Sequence, residues 1–195
     1  MGRIRSALEI ALERTESVRG DKDSIDKFEA KQQGKKIANE FLSDPSRSLE
    51  EALKKAPKEQ RESLRQGMFE VLLAQINLPL SKDDKQRIET VGRGLGAVMA
   101  NGRFSGTYKQ FTQLLNRYLD EADQYEKAIR RQYEPKLRQK EEELTRRYGR
   151  PVRLDPLQDP EFVAFFNQNM DALKENYQGA VDEVREEARR CFEEA

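Results

Sequence analysis

Two long apolar repeats occupy the C-terminal half of the chain and constrain its fold more than any other feature. Within residues 105–148 and 160–194, apolar side chains recur every three or four positions. This spacing places them on one face of an α-helix and forms the seam of a coiled coil. The first seam is Tyr108, Phe111, Leu115, Tyr118, Ala122, Tyr125, Ile129, Tyr133, Leu137, Leu144 and Tyr148. The second seam is Phe162, Phe166, Met170, Leu173, Tyr177, Ala180, Val184 and Cys191.

The two seams can be aligned antiparallel, so that apolar residues meet along their length. When Tyr148 is set opposite Phe162, Tyr133 falls opposite Tyr177. Pro135 interrupts the first seam, and a local kink or a small change of phase accounts for it. The sequence therefore predicts an antiparallel helical hairpin that follows a small N-terminal helical bundle. The predicted divisions are a bundle at 1–102 and a hairpin at 105–195, with arms at 105–148 and 160–194 and a tip at 149–159.

The charges of the two arms are opposite. Residues 129–153 contain nine basic residues and four glutamates, whereas residues 154–195 contain eleven acidic and four basic residues. Ion pairs beside the seam can fix the antiparallel orientation. We therefore interpret the basic stretch first as a solvated face that the acidic arm neutralises. A basic arm at 130–153 that binds RNA is the alternative.

Five shorter helices are predicted before residue 102. Gly20 is read as the stop of the first, and the polar stretch around Gly34 as a weak point of the second. Serine, aspartate and proline residues mark several of the other ends. The predicted helices cover residues 3–18, 24–44, 48–56, 57–78 and 81–101, with Ser81 or Asp83 as the start of the last.

The amino-acid types argue against an enzyme. The sequence has no histidine and one cysteine, Cys191, in 195 residues. Catalytic triads with histidine, histidine-ligated zinc and thiolate zinc sites all need residues that this chain lacks. We expect no catalytic residue, no cofactor and no metal.

Gly92, Gly94 and Gly96 resemble a phosphate-binding loop only superficially. Such a loop follows a strand and opens a helix, and here a charged helical stretch comes first. We expect these glycines to let a helix pack closely on a neighbour, with a hinge as the alternative.

The predicted tip carries the best candidates for binding a partner. Leu154 and Leu157 are apolar residues in a turn region, and four arginines precede them. The candidate partner-binding residues are Leu154, Leu157, Arg146, Arg147, Arg150 and Arg153.

The functional hypothesis is a cytoplasmic adaptor, stalk or accessory subunit that presents helical surface to a protein partner. A homodimer through the apolar flanks of the hairpin is a further expectation. No apolar run is long enough to span a membrane, and one cysteine fits a reducing compartment. An RNA- or ribosome-associated factor is the alternative, although the net charge of zero does not favour it.

Overall fold

The computed structural model describes the backbone of residues 7–99 and 102–195 and the side chains of residues 24–99 and 102–195. Within these ranges the chain is all-helical and has no β-strand, as the sequence predicts. None of the described helices is long and apolar enough to cross a membrane. The α-helices are α1 (Ala7–Ser43), α2 (Leu49–Lys55), α3 (Lys58–Ala74), α4 (Lys85–Met99), α5 (Gly102–Tyr148) and α6 (Pro160–Glu193). Single 3-10 turns occur at Lys82–Asp84 and Pro156–Gln158.

Several helix ends lie where the sequence predicts them. The Ser48 hydroxyl accepts a hydrogen bond from the backbone N–H of Glu51, which caps α2. Ser81 and Asp84 form a reciprocal capping box before α4. Asp159 caps α6, because its carboxylate accepts a hydrogen bond from the backbone N–H of Glu161. These caps satisfy N–H groups that would otherwise have no partner at a helix start.

Helix α1 differs from the prediction. It runs without interruption from Ala7 to Ser43, so the expected stop at Gly20 and the expected new start at residue 24 are wrong. The first residues of the predicted helix, 3–6, lie outside the described residues. The predicted weak point at Gly34 is also wrong, because this glycine lies inside the continuous helix and is buried.

The close approach of α1 to α3 explains Gly34. A Cβ atom placed on Gly34 would lie 2.1 Å from the carbonyl oxygen of Leu64, and one on Gly67 would lie 2.0 Å from that of Lys31. Both distances are far inside van der Waals contact, so only glycine fits at either position. Glu70 pairs with Lys31 and with Lys35 across the same two helices, at 2.6 and 3.0 Å. The polar stretch of α1 is thus a helix contact and not a break.

The described chain divides into two compact units. The first comprises Met1–Ile76, Arg87–Ser105 and Arg190–Ala195, and the second comprises Asn77–Gln86 and Gly106–Arg189. In the first unit, Gly94 of α4 faces Phe41 of α1 and Leu72 of α3, and an added Cβ would meet their side chains at 2.8 and 2.9 Å. The close-packing interpretation therefore holds for Gly94. An added Cβ at Gly96 would meet no described atom within 4 Å.

Most of the α5 seam is buried in the structure. Helix α5 is continuous through Pro135, so the proline does not break it. Two seam residues differ from the prediction, since Tyr125 is 41% exposed and Tyr148 is 60% exposed. The buried seam residues are Tyr108, Phe111, Leu115, Tyr118, Ile129 and Tyr133 on α5, and Phe162, Val184 and Cys191 on α6.

The predicted pairing of the two seams is wrong. Tyr177 packs edge-on against Tyr118, with 5.2 Å between ring centroids, and not against Tyr133. Tyr133 instead packs against Phe162, also at 5.2 Å. The partner of Tyr177 thus lies about fifteen residues, or roughly four helical turns, earlier in α5 than expected. Tyr148 has no part in this seam, which explains its exposure.

Candidate partner-binding site

Residues 150–158, which we call the return segment, lie against the last turns of α5. Gly149 ends the helix with φ of 66°, a left-handed conformation that glycine adopts without steric cost. The backbone N–H of Val152 then donates to the Thr145 hydroxyl at 3.1 Å. The backbone N–H of Leu154 donates to the Glu141 carboxylate at 2.8 Å. The chain therefore reverses at Gly149 and runs back along α5 before α6 begins.

A cluster of charged residues fixes the far end of the return segment. Asp159 is buried, and both of its carboxylate oxygens accept hydrogen bonds from the Lys140 ammonium, at 2.9 and 2.8 Å. The Tyr133 hydroxyl donates to Asp159 at 3.0 Å. Glu161 accepts from Lys140 at 3.0 Å and pairs with Lys136 at 2.8 Å. Each charge in the cluster is therefore matched by an opposite one, as a partly buried group requires.

In this cluster the pKa values of the two carboxyl groups are lowered, and those of Lys140 and Tyr133 are raised. Hydrogen bonds from Lys136 and Lys140 lower the pKa of Glu161 to about 2. The Lys140 ammonium also lowers the pKa of Asp159, and the two carboxylates raise the pKa of Lys140. Burial, and then the hydrogen bond to Asp159, raise the pKa of Tyr133. These groups keep their charge states around pH 7, so the cluster suits an anchor better than an acid–base catalyst.

The four predicted arginines are all exposed near the reversal of the chain. The Arg147 guanidinium lies 6.0 Å from the centre of the Tyr148 ring, within reach of a cation–π contact. None of Arg146, Arg147, Arg150 and Arg153 forms an ion pair with a described residue. Helix α6 begins beside Tyr133 and Lys136, so its acidic residues do not run alongside these arginines. The interpretation of a fully neutralised basic face therefore does not apply to this end of α5.

The two predicted leucines differ in exposure. Leu157 is 58% exposed, and its backbone N–H is held by Asp155 at 3.0 Å. Leu154 is half-buried and lines a groove of about 390 Å³. The residues that line this groove are Lys140, Glu143, Leu144, Arg147, Leu154, Gln158, Asp159 and Pro160.

A second, smaller pocket of about 250 Å³ borders the return segment at Pro156. Its other lining residues are Arg130, Arg131, Tyr133, Glu134, Leu137 and Phe162. The structure thus brings Arg147 and Leu154 together at the first groove, whereas Leu157 lies on the exposed surface beyond it.

Sequence reasoning missed the exposed Tyr148 and the groove. Tyr148 continues the spacing of the seam. That spacing alone does not show that α6 begins beside Tyr133 and therefore does not face Tyr148. Pro151, Pro156 and Pro160 are the available signal, because a residue before proline favours extended backbone. Three such sites indicate an extended run where a compact tip is predicted.

Among the residues whose side chains are described, no group of three or more histidine, cysteine, aspartate or glutamate residues could hold a metal ion. The one cysteine of the sequence, Cys191, is free and buried.

Comparison with known proteins places the chain in a family. No curated protein and no solved structure matches it. The sequence model of one family matches residues 50–190, a range that includes α5, the return segment and nearly all of α6. Because the match covers more than half of the 195 residues, the chain belongs to the family of unknown function DUF6657.

Proposed function

We propose that this protein is a non-enzymatic interaction protein, an adaptor or accessory subunit that presents paired helices to a protein partner. The observation that carries the proposal is the return segment, which hydrogen bonds and ion pairs hold against α5. The return segment holds Leu157 in an exposed position, and Tyr148 and four exposed arginines lie close in sequence to the reversal at Gly149. Tyrosine and arginine are enriched at the centres of protein interfaces. Exposed apolar residues on a fixed backbone lose little conformational entropy on binding.

The proposal includes an antiparallel coiled-coil hairpin made of α5 and α6. The contacts of Tyr118 with Tyr177 and of Tyr133 with Phe162 support antiparallel pairing, because the later residue of α5 meets the earlier residue of α6. We retain the division into a bundle at 1–102 and a hairpin at 105–195. The proposed site of action is the cytoplasm.

Site-specific crosslinking in the full-length chain tests the interaction. A photoreactive amino acid replaces Leu157, and the matched control carries it at Gln113, which is exposed elsewhere on α5. We expect discrete crosslinked proteins from Leu157 in cells that express the protein, identified by mass spectrometry and recovered again by tagging the partner. The same products from both positions, or no product from Leu157, would count against an adaptor. Light scattering on the purified chain reports whether a homodimer forms.

An RNA- or ribosome-associated factor that uses the basic arm 130–153 is the second candidate. Arg146, Arg147, Arg150 and Arg153, which have no ion pair with a described residue, favour it because phosphate contacts are made mainly by arginine and lysine. Retention on RNA that weakens steeply as salt rises would support this candidate. Retention that does not change between low and moderate salt would exclude it.

A further inference from the structure

We infer that the groove between the end of α5 and the return segment binds an acidic, partly apolar segment of a partner protein. This inference rests on the proposed function and names the chemistry of the partner. The groove joins two of the residues that sequence reasoning selects, Arg147 and Leu154.

The lining of the groove combines apolar with polar and charged residues. Leu144 and Leu154 are half-buried, and Pro160 lies beside them. The volume of about 390 Å³ is enough for one or two large apolar side chains. Apolar side chains on the partner would bury surface here, and this gives the site a preference for protein segments that carry leucine or phenylalanine.

The backbone around the groove is held in place before any partner binds. Thr145 and Glu141 fix the N–H groups of Val152 and Leu154 on one side. The contacts of Asp159 with Lys140 and Tyr133 fix the other end of the segment. A groove whose walls are already ordered costs little further entropy on binding, so a modest apolar contact suffices for measurable affinity.

The charge of the surrounding surface selects for acidic partners. Residues 144–158 contain four arginines and one acidic residue, Asp155. Of the two acidic residues that line the groove, Asp159 is paired with Lys140, which leaves Glu143 against the four arginines. The four arginines are exposed and have no ion pair with a described residue. Acidic side chains on a partner would find these guanidinium groups, which bind carboxylates through two parallel hydrogen bonds. Complementary charge also speeds association and sets the orientation of the bound segment.

The same surface fits a nucleic acid less well. Single-stranded RNA is bound by positive grooves that carry several aromatic side chains for base stacking. Here Tyr148 is the exposed aromatic residue beside the arginines, and no aromatic residue is among those that line the groove. A protein segment that carries both acidic and apolar residues can contact the arginines and the two leucines together.

Binding of defined probes to the full-length chain tests the inference. The first probe is a fluorescent helical peptide of ~16 residues with leucine on one face and glutamate on the other. The second has glutamine in place of every glutamate, the third has serine in place of every leucine, and the fourth is an oligouridylate of similar charge. Fluorescence anisotropy at moderate salt measures each affinity. We expect the first peptide to bind at least about tenfold more tightly than each of the other three probes.

Variants of the protein locate the binding surface. Arg147→Glu and Leu154→Ala should each weaken binding of the first peptide about tenfold or more. Arg117→Glu is the matched control, because Arg117 is exposed on the same helix and lies outside the groove. Far-UV circular dichroism confirms that each variant remains folded. If Leu154→Ala does not fold, the peptide affinities of Arg147→Glu and Arg117→Glu still test whether the groove is the binding surface.

Three outcomes would overturn the inference: no binding of the first peptide, equal loss in Arg147→Glu and Arg117→Glu, or tighter binding of the oligouridylate. If Leu157 still crosslinks to a discrete protein in any of these cases, the adaptor proposal stands and the groove is not its contact. If neither experiment detects a partner, both proposals fail.

Discussion

The contact between Gly34 and Gly67 gives the sharpest test of how this chain folds. Replacing either glycine with alanine adds one methyl group inside a helix. Alanine is intrinsically the better residue in a helix interior, by roughly 1 kcal/mol. On helix propensity alone, both Gly34→Ala and Gly67→Ala should therefore stabilise the protein.

The structure predicts the opposite sign. The added Cβ would lie 2.1 Å from the Leu64 carbonyl oxygen in Gly34→Ala and 2.0 Å from the Lys31 carbonyl oxygen in Gly67→Ala. Both atoms belong to helix backbone and cannot rotate away, so α1 and α3 must separate locally by about 1 Å in a close-packed interior. Overpacking of this kind costs about 3 kcal/mol, at the upper end of the usual range. After the propensity gain of ~1 kcal/mol is subtracted, we expect each variant to lose about 2 kcal/mol of unfolding free energy.

The chain supplies matched controls for this prediction. Gly96 in α4 and Gly179 in α6 are helical glycines around which an added Cβ meets no described atom within 4 Å. Gly96→Ala and Gly179→Ala should therefore raise the unfolding free energy, by up to ~1 kcal/mol. Urea denaturation followed by far-UV circular dichroism measures all four variants on one scale.

The double variant Gly34→Ala with Gly67→Ala tests the shared cause. Once the helices have separated to admit one methyl group, the second meets less resistance. The combined loss should therefore be smaller than the sum of the single losses, as expected for neighbouring sites. The reasoning would be refuted if either single variant were as stable as the original chain, or if the two losses simply added.

Three further predictions concern α5 and α6. Phe162→Ala should lower the unfolding free energy by about 3–5 kcal/mol because Phe162 is fully buried, whereas Tyr148→Ala should change it by less than ~0.5 kcal/mol. Urea denaturation of both variants measures the two losses. Equal losses would favour the pairing predicted from the sequence, in which Tyr148 faces Phe162. The pKa of Glu161 is lowered to about 2, so its contribution to stability is present above pH ~4.3 and is lost as the pH falls through about 2. Glu161→Gln should flatten the acid limb of the stability curve, and parallel curves would contradict this. A hydrogen bond to Glu121, together with burial, raises the pKa of Tyr177 to about 12. Glu121→Gln should move one tyrosine toward ~10 in a spectrophotometric titration, and an unchanged titration would exclude that hydrogen bond.

The long helices and their caps could be predicted because they depend on local signals. The spacing of Tyr108, Phe111 and Leu115 indicates which face of the helix is apolar, whatever that face packs against. The caps at Ser48 and Asp159 likewise act within a few residues. Local rules therefore recover most of the helix boundaries and the all-helical class.

Gly34 could not be interpreted correctly because its role depends on a distant residue. In isolation, a glycine in a polar stretch reads as a weak point, since it costs helix stability. Its benefit comes from Leu64, which lies thirty positions away and approaches only when α3 is in place. Ala30 and Ala38, each four residues from Gly34 and both buried, are the available signal. Small residues repeated every four positions form a smooth strip that admits a neighbouring helix closely.

The pairing of the seams failed because the turn between the helices was assumed to be symmetric. A short loop at the tip would place Phe162 opposite Tyr148. In the structure the chain turns back at Gly149 and runs along α5 before the next helix starts. Extended chain advances ~3.3 Å per residue, whereas a helix rises ~1.5 Å per residue. The connection between α5 and α6, about eleven residues long, can therefore run back along about fifteen residues of α5.

The shifted pairing has a consequence for binding that follows from charge alone. With a symmetric turn, the first acidic residue of α6, Glu161, would lie near Arg146 and Arg147 and would compete with any partner for them. With α6 beginning beside Tyr133, its first acidic residue, Glu161, is held by Lys136 and Lys140 instead. Those lysines therefore serve as the anchor, and the arginines beyond them remain available in the described structure. Within the basic stretch, Lys136 and Lys140 thus hold the fold, whereas the four arginines after residue 145 face solvent. In the inference above, these four arginines are the groups that recognise an acidic partner.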